Sequence, residues 1–140
     1  MSYLVDTCVL SELTYPRPAA TVVAWLKEAD PDSLYVSSLT LGEIEKGVER
    51  LPTGSKKARL RRWAEEVCTE WRDRIVSVDE VVAIEWGRLL ARAETGGQPI
   101  PVIDALIGAS AVVHGLTVVT RNESDIARTG AAIFDPWQPS

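Results

Sequence analysis

Four acidic residues, far apart along the chain, carry the chemistry that this sequence could perform. They are Asp6, Glu43, Asp104 and Asp125. Carboxylates that gather in one place repel one another, and either protonation or a bound cation must relieve that repulsion. A set of oxygen ligands without histidine or thiolate favours a hard cation, Mg²⁺ or Mn²⁺, over zinc. Such ions, held by carboxylates, suit the hydrolysis of phosphodiester bonds.

The elements that must position these acids follow from the hydrophobic pattern. Runs of strand type at residues 3–5, 34–36, 75–76, 116–119 and 131–134 alternate with helical segments at 22–29, 40–50, 60–71, 80–95 and 102–114. Strands that alternate with helices imply crossover connections and therefore a mostly parallel sheet. We therefore expect an α/β fold, a three-layer sandwich with a twisted sheet of about five strands, as a single domain over residues 1–140.

Polar and acidic residues follow two of the predicted strands. Asp6 comes directly after residues 3–5, and the segment 120–125, which ends in Asp125, follows residues 116–119. Ligands of an open parallel sheet bind outside the carboxyl ends of its strands, so both segments should lie at the same edge. A single acid at a strand end is also a common turn former, but two strands of the same polarity favour a functional site.

Asp104 lies in the first turn of a helix that is otherwise built from apolar residues. The positive helix end stabilises a carboxylate there by about 0.3–1 kcal/mol. Buried carboxylates are nevertheless seldom kept without a partner, which favours a functional role for Asp104. Gly108, one turn further on the same face, is small enough to let another backbone or a ligand come close.

Glu43 has a strong structural interpretation. The segment Thr40-Leu41-Gly42-Glu43 matches a capping box, in which the glutamate closes on the backbone amide of the threonine. A functional interpretation rests on the position of its helix, which follows strand 34–36. The start of that helix therefore also lies at the carboxyl edge of the sheet.

Composition and charge exclude several classes of protein. The chain has 140 residues, 46% of them hydrophobic and 25% charged, as in an ordinary globular domain. A net charge of −5 argues against a protein that coats nucleic acid unspecifically. Residues 55–62 nevertheless hold five basic residues and no acid. This segment is either a solvated helix face or a local patch for a phosphate backbone.

Other chemistries and locations lack their residues. One histidine and two separated cysteines cannot form a tetrahedral zinc site, and no phosphate loop or nucleophile elbow is present. The longest uncharged stretch, residues 105–120, is shorter than a membrane span. The first residues lack the basic start and apolar centre of a signal peptide. These features predict a cytoplasmic protein with reduced thiols and no membrane association.

Five segments, in this order, resemble the motifs of PIN-domain ribonucleases. They are LVDTCVLSE at 4–12, SSLTLGE at 37–43, IDALIGA at 103–109, TVVTRNESD at 117–125 and FDPW at 134–137. The resemblance spans nearly the whole chain. It is greatest to the toxin subunits of type II toxin–antitoxin pairs, the VapC-type toxins.

The resemblance implies a PIN-like fold and a Mg²⁺-dependent endoribonuclease, with Mn²⁺ as the alternative ion. By motif, Asp6 and Asp104 would be the principal metal ligands, and Glu43 would bind metal or position the attacking water. Asp125 would complete the site, although some relatives carry their last acid at the position of Asn122. The supporting polar groups would be Thr7, Thr120 and Asn122, with Thr7 standing where many relatives carry asparagine.

The resemblance also implies partners. We expect RNA as substrate, a homodimer, and a cognate antitoxin that covers the acidic cleft and contacts DNA through its own domain. Candidate RNA contacts are Lys56, Lys57, Arg59 and Arg121. The alternative is a catalytically silent module that docks a basic peptide within a DNA-bound repressor complex. An acid phosphatase or receiver domain is disfavoured, because the first strand lacks a doubled acid and a lysine partner is missing.

Overall fold

Five parallel strands form one sheet in the computed structural model, which describes residues 1–139. Their order across the sheet is β3-β2-β1-β4-β5. The bounds are Tyr3–Val5 (β1), Leu34–Ser37 (β2), Ile75–Val76 (β3), Thr117–Val119 (β4) and Ile133–Phe134 (β5). In the centre of the sheet, Leu4 lies opposite Tyr35 on one side and Val118 on the other. The predicted α/β fold with a parallel five-stranded sheet is confirmed.

Seven α-helices connect the strands within residues 1–139. They are Thr7–Glu12 (α1), Ala20–Glu28 (α2), Ser38–Glu49 (α3), Ser55–Glu70 (α4), Glu80–Thr95 (α5), Val102–His114 (α6) and Glu123–Ala127 (α7). Helices α1 and α7 were not predicted, because helices of six and five residues are too short to show a hydrophobic repeat. No helix in this part of the chain combines the length and apolarity that a membrane crossing requires.

The core lies on both faces of the sheet, as a three-layer sandwich requires. Successive strand side chains point to opposite faces, so Leu4 and Val5 enter different clusters. Val5 packs with buried residues of α1 to α4, whereas Leu4 packs with Ile107 and Ala111 of α6. Helix α5 packs on α6 through a third cluster that includes Val82 and Leu89. Helix α6 is therefore enclosed between the sheet and α5.

Gly108 of α6 meets the turn that follows α7. A Cβ added at Gly108 would overlap the side chain of Thr129. The space that the small residue provides is therefore filled by the protein itself and not left for a ligand. This contact fixes the spacing between α6 and α7. It therefore also fixes the distance between the first turn of α6 and the residue that precedes α7.

Candidate active site

The carboxyl ends of the three central strands form one acidic pocket. Strand β1 lies between β2 and β4, so the residues that follow these strands are neighbours. The N-terminal part of α6 reaches the same edge. A pocket of about 410 Å³ is lined there by Asp6, Thr7, Cys8, Glu43, Asp104, Arg121 and Asn122. Three of the four predicted acids thus line a single pocket.

Asp6 is held at both of its carboxylate oxygens. It caps α1, where Oδ1 accepts the backbone N–H of Thr7 at 2.9 Å. Oδ2 accepts the hydroxyl of Thr120, a fully buried residue, at 2.8 Å. The backbone N–H of Asp6 donates to the carbonyl of Val119 at 3.0 Å, which ties the residue to β4. The carboxylate is therefore fixed in place by neutral donors.

Glu43 does not form the predicted capping box. Strand β2 runs directly into α3, and the hydroxyl of Ser37 accepts the N–H of Leu39 at 3.1 Å as the helix cap. Thr40 consequently lies in the first turn of the helix and not at its cap, and it is fully buried. Instead, Oε1 of Glu43 accepts the hydroxyl of Thr7 at 2.6 Å. The capping-box interpretation is wrong, and the serines just before Thr40 were the signal for the earlier helix start.

The carboxyl group of Asp104 lies in an environment that disfavours its ionised form. Burial raises its pKa, and the negative charges of Asp6, Asp125 and Glu43 raise it further. A hydrogen bond from Nδ2 of Asn122 to Oδ2, at 3.0 Å, acts in the opposite direction. A carboxylate with a perturbed pKa among other carboxylates in a cleft is typical of a functional site.

Asp125 lies outside the pocket lining. Its carboxylate forms an ion pair with Arg128, at the end of α7. Asn122 lines the pocket and contacts Asp104 directly. The geometry thus brings Asn122 into the site and leaves Asp125 at its margin, close enough for its charge to act on Asp104.

Each acid of the pocket has its own neutral donor. Thr120 donates to Asp6, Thr7 donates to Glu43 and Asn122 donates to Asp104. These donors are the three residues predicted as supporting polar groups. None of the ion pairs within residues 1–139 includes an acid of the pocket. The three carboxylates are therefore oriented without being neutralised.

Sequence reasoning missed three residues at the site. Sγ of Cys8 lies 3.9 Å from Oδ2 of Asp6, and burial together with the charge of Asp6 raises the pKa of this thiol. The hydroxyl of Thr40 lies 3.2 Å from that of Thr7, behind Glu43. Trp137 lies beneath the guanidinium of Arg121. The sequence offered weak signals for them, since all three lie within the motif segments 4–12, 37–43 and 134–137.

The predicted RNA contacts fall into different environments. Lys56 and Arg59 line an apolar groove of about 580 Å³ that shares Thr7 and Glu43 with the acidic pocket. Lys57 points elsewhere, with Nζ 3.3 Å from the carbonyl of Glu49. Arg121 lines the acidic pocket itself. Basic groups therefore flank the acids at two places.

The donor set fits a hard cation, because carboxylate, amide and hydroxyl oxygens are the groups that Mg²⁺ and Mn²⁺ prefer. Across residues 1–139, no three His, Cys, Asp or Glu side chains come close enough to form a closed metal cage. Mg²⁺ does not require one, since it usually keeps several waters and binds through one or two carboxylates. Asp6 and Asp104 are the residues that fit this open mode of binding.

Comparisons with known proteins identify the family of this chain. The family model described as PIN domain matches residues 3–132. Toxin FitB of Neisseria gonorrhoeae is 36% identical over 135 residues, which cover 96% of this chain and 97% of that protein. VapC ribonuclease Y4jK of Sinorhizobium fredii is 33% identical over 138 residues, 98% of this chain and 99% of that protein.

A solved structure of FitAB bound to an IR36 DNA fragment is similar at a TM-score of 0.93 and 34% identity. The match covers 99% of this chain and 97% of the other. Because the family model spans nearly the whole sequence, the resemblance that the motifs indicated is confirmed, and the chain belongs to the PIN domain family.

Proposed function

We propose that this protein is a Mg²⁺-dependent endoribonuclease that cleaves phosphodiester bonds of RNA and acts as the toxin of a type II toxin–antitoxin pair. The observation that carries the proposal is the pocket in which Asp6, Glu43 and Asp104 each have a neutral hydrogen-bond donor. Relatives named VapC ribonuclease and Toxin FitB, matched over nearly their full length, support the same assignment.

In the proposed mechanism, Asp6 and Asp104 would hold the cation, Mg²⁺ or alternatively Mn²⁺. When bound there, the ion would polarise a phosphate oxygen of the substrate and lower the pKa of a water molecule. Asp6 needs little reorganisation, because Thr7 and Thr120 already fix its two oxygens. Burial and the neighbouring carboxylates raise the pKa of Asp104 in the free protein, and a nearby positive charge would favour its ionised form.

Glu43 positions the attacking water in this proposal, or contributes to cation binding. The hydroxyl of Thr7 holds Oε1, which leaves Oε2 to accept a proton from the water. Asn122 completes the site by orienting Asp104, whereas Asp125 contributes its charge from the margin. This assigns the fourth position to Asn122 and not to Asp125.

The proposed partners follow from charge and exposed apolar surface. A basic antitoxin segment matches the acidic pocket, and a relative was solved as a FitAB complex on DNA, so DNA contact would be indirect. A homodimer is supported by exposed apolar side chains on two helices that pack together: Val81, Ile84, Val102, Ile103 and Val112. The two free cysteines match the reduced cytoplasm that we propose as its location.

Cleavage of RNA by the purified protein tests the proposal. We expect Mg²⁺ to support cleavage and chelation to abolish it, and Asp6→Asn or Asp104→Asn to reduce the rate by at least about a hundredfold. Asp73→Asn, an exposed acid remote from the pocket lining, is the matched control and should cleave like the wild type. Asn122→Ala should reduce cleavage more than Asp125→Asn.

Undiminished cleavage by the Asp6→Asn/Asp104→Asn double variant would refute the site and indicate a contaminating nuclease. The alternative function, a silent module for a basic peptide, makes a different prediction. It requires neither cleavage nor measurable binding of Mn²⁺ by the wild type in calorimetry. Mn²⁺ binding that Asp6→Asn abolishes supports the nuclease.

A further inference from the structure

Arg121 is the basic residue in the lining of the acidic pocket. It follows Thr120 directly after β4, and its guanidinium carbon lies 4.6 Å from the centroid of the Trp137 ring. Among residues 1–139, no ion pair includes Arg121, although three carboxylates line the same pocket. The guanidinium therefore stacks on an indole ring instead of pairing with an acid.

Trp137 is a fixed platform for this stacking. Its backbone N–H donates to Oδ1 of the buried Asp135 at 2.8 Å, and its ring packs against the core cluster beneath β5. The backbone N–H of Thr120 donates to the carbonyl of Phe134 at 3.0 Å. This bond aligns the chain just before Arg121 with the chain just before Trp137. Both members of the stacked pair are thus anchored to neighbouring strands.

Stacking has a consequence for the charge of the pocket. A free arginine beside several carboxylates forms a bidentate ion pair with one of them, because its planar fork matches a carboxylate. Such a pair here would neutralise an acid that the proposed cation needs. Contact with the ring holds the guanidinium in place and leaves its N–H groups free to bind an anion.

We propose that Arg121 binds a non-bridging phosphate oxygen of the RNA at the mouth of the pocket and that Trp137 is the positioning residue that holds it there. The inference rests on the proposed ribonuclease function. A protein with a net charge of −5 and a cluster of carboxylates repels RNA. The positive side chain of Arg121, fixed next to that cluster, offsets this repulsion locally. The planar fork of arginine suits a phosphate as well as it suits a carboxylate.

Steady-state cleavage and RNA binding test the inference. The probe is a mixed-sequence single-stranded RNA oligonucleotide, with Mg²⁺ for cleavage and with EDTA for binding. Arg121→Ala should raise KM and weaken binding about tenfold, because a charged hydrogen bond is lost. It should also lower the slope of log K against log salt concentration by about 0.7, as expected for one phosphate contact to a single strand. Arg121→Lys should restore the slope but only part of the affinity.

Arg88→Ala is the matched control, since Arg88 is exposed on α5 and does not line the pocket. It should leave KM, binding and the salt slope as in the wild type. Trp137→Leu should reproduce most of the Arg121→Ala effect, whereas Trp137→Phe, which keeps an aromatic face, should stay close to the wild type. Thermal unfolding of both Trp137 variants checks that they remain folded under the assay conditions.

The double variant separates positioning from a purely structural role. If Trp137 acts through Arg121, then Trp137→Leu causes no further loss in the Arg121→Ala background. Additive losses overturn the positioning role. If the wild type cleaves RNA and Arg121→Ala behaves like Arg88→Ala, the phosphate contact is overturned. This is also the result expected if Arg121 serves only a protein partner. Absence of wild-type cleavage and RNA binding instead refutes the proposed function.

Discussion

Replacement of Gly108 by alanine tests whether the close approach of α6 and α7 sets the geometry of the pocket. The added Cβ overlaps Cβ, Oγ1 and Cγ2 of Thr129. Rotation about χ1 of Thr129 moves two of these atoms but not its Cβ, so a rotamer change does not remove the clash. Thr129 is only 5% exposed, and its hydroxyl donates to the carbonyl of Ile126. The neighbour therefore has little freedom to yield.

Opposing free energies decide the sign of the effect. Without a clash, Gly→Ala inside a helix stabilises by about 0.8–1.0 kcal/mol. Overpacking costs about 1–3 kcal/mol, and loss of the Thr129 hydrogen bond adds about 1 kcal/mol. The net effect is a loss of about 1–3 kcal/mol. At about 2.1 cal/mol/K of unfolding entropy per residue, a chain of 140 residues should lose roughly 3–10 °C in Tm.

Thermal unfolding of Gly108→Ala and a matched variant measures this effect. Gly87→Ala on α5 is the control, because an added Cβ there has no heavy atom within 4 Å. It should gain about 3 °C in Tm from helix propensity alone. Gly108→Ala should also lower the cleavage rate, since Asp104 lies one turn before Gly108 and its partner Asn122 directly precedes α7. A Gly108→Ala variant as stable as Gly87→Ala would refute the reasoning.

Two further predictions concern single side chains of the pocket. The pKa of Asp104 is raised in the folded state, so the folded protein binds this proton more tightly and loses stability as pH rises from the unfolded pKa through the folded one. Asp104→Asn should therefore raise Tm at neutral pH in EDTA and lose this advantage at low pH, and a lower Tm at neutral pH would contradict it. Thr7→Val removes the donor to Glu43 and should lower cleavage roughly ten- to hundredfold, from a charged hydrogen bond of about 1.5–3 kcal/mol. Thr7→Ser should keep most of the activity, and equal rates for Val and Ser would contradict the role of this hydroxyl.

The parallel α/β arrangement and the edge at which the pocket lies were predictable, because they follow from periodicity and chain order. Strands that alternate with helices place Asp6 and the start of α3 at one edge, whatever the details of packing. Local hydrogen bonding was less predictable. The pattern Thr40 to Glu43 satisfies a capping rule, but Ser37 had already capped the helix three residues earlier. A local motif cannot show which of two adjacent caps the chain uses.

Contacts over long sequence separations were beyond sequence reasoning. The pairing of Thr7 with Glu43 and of Asn122 with Asp104 depends on how α1, α3, α6 and α7 meet, and no spacing rule encodes it. The ion pair of Asp125 is local, in contrast to these two contacts. A helix turn places Arg128 three residues later on the same face, where it pairs with the carboxylate. The spacing alone could have suggested that pair.

The hydrogen-bond and ion-pair partners of the three pocket acids differ from those of Asp125 at the margin of the pocket. Asp125 is paired with Arg128, which is an arrangement common for an acid with a structural role. Asp6, Glu43 and Asp104 have only neutral donors, which orient a carboxylate without cancelling its charge. Such an arrangement destabilises the free protein, as the raised pKa of Asp104 indicates, and it favours a bound cation by the same repulsion. An arginine in place of Asn122 would therefore relieve the repulsion, and it should weaken binding of the proposed cation, measured as Mn²⁺ affinity in calorimetry.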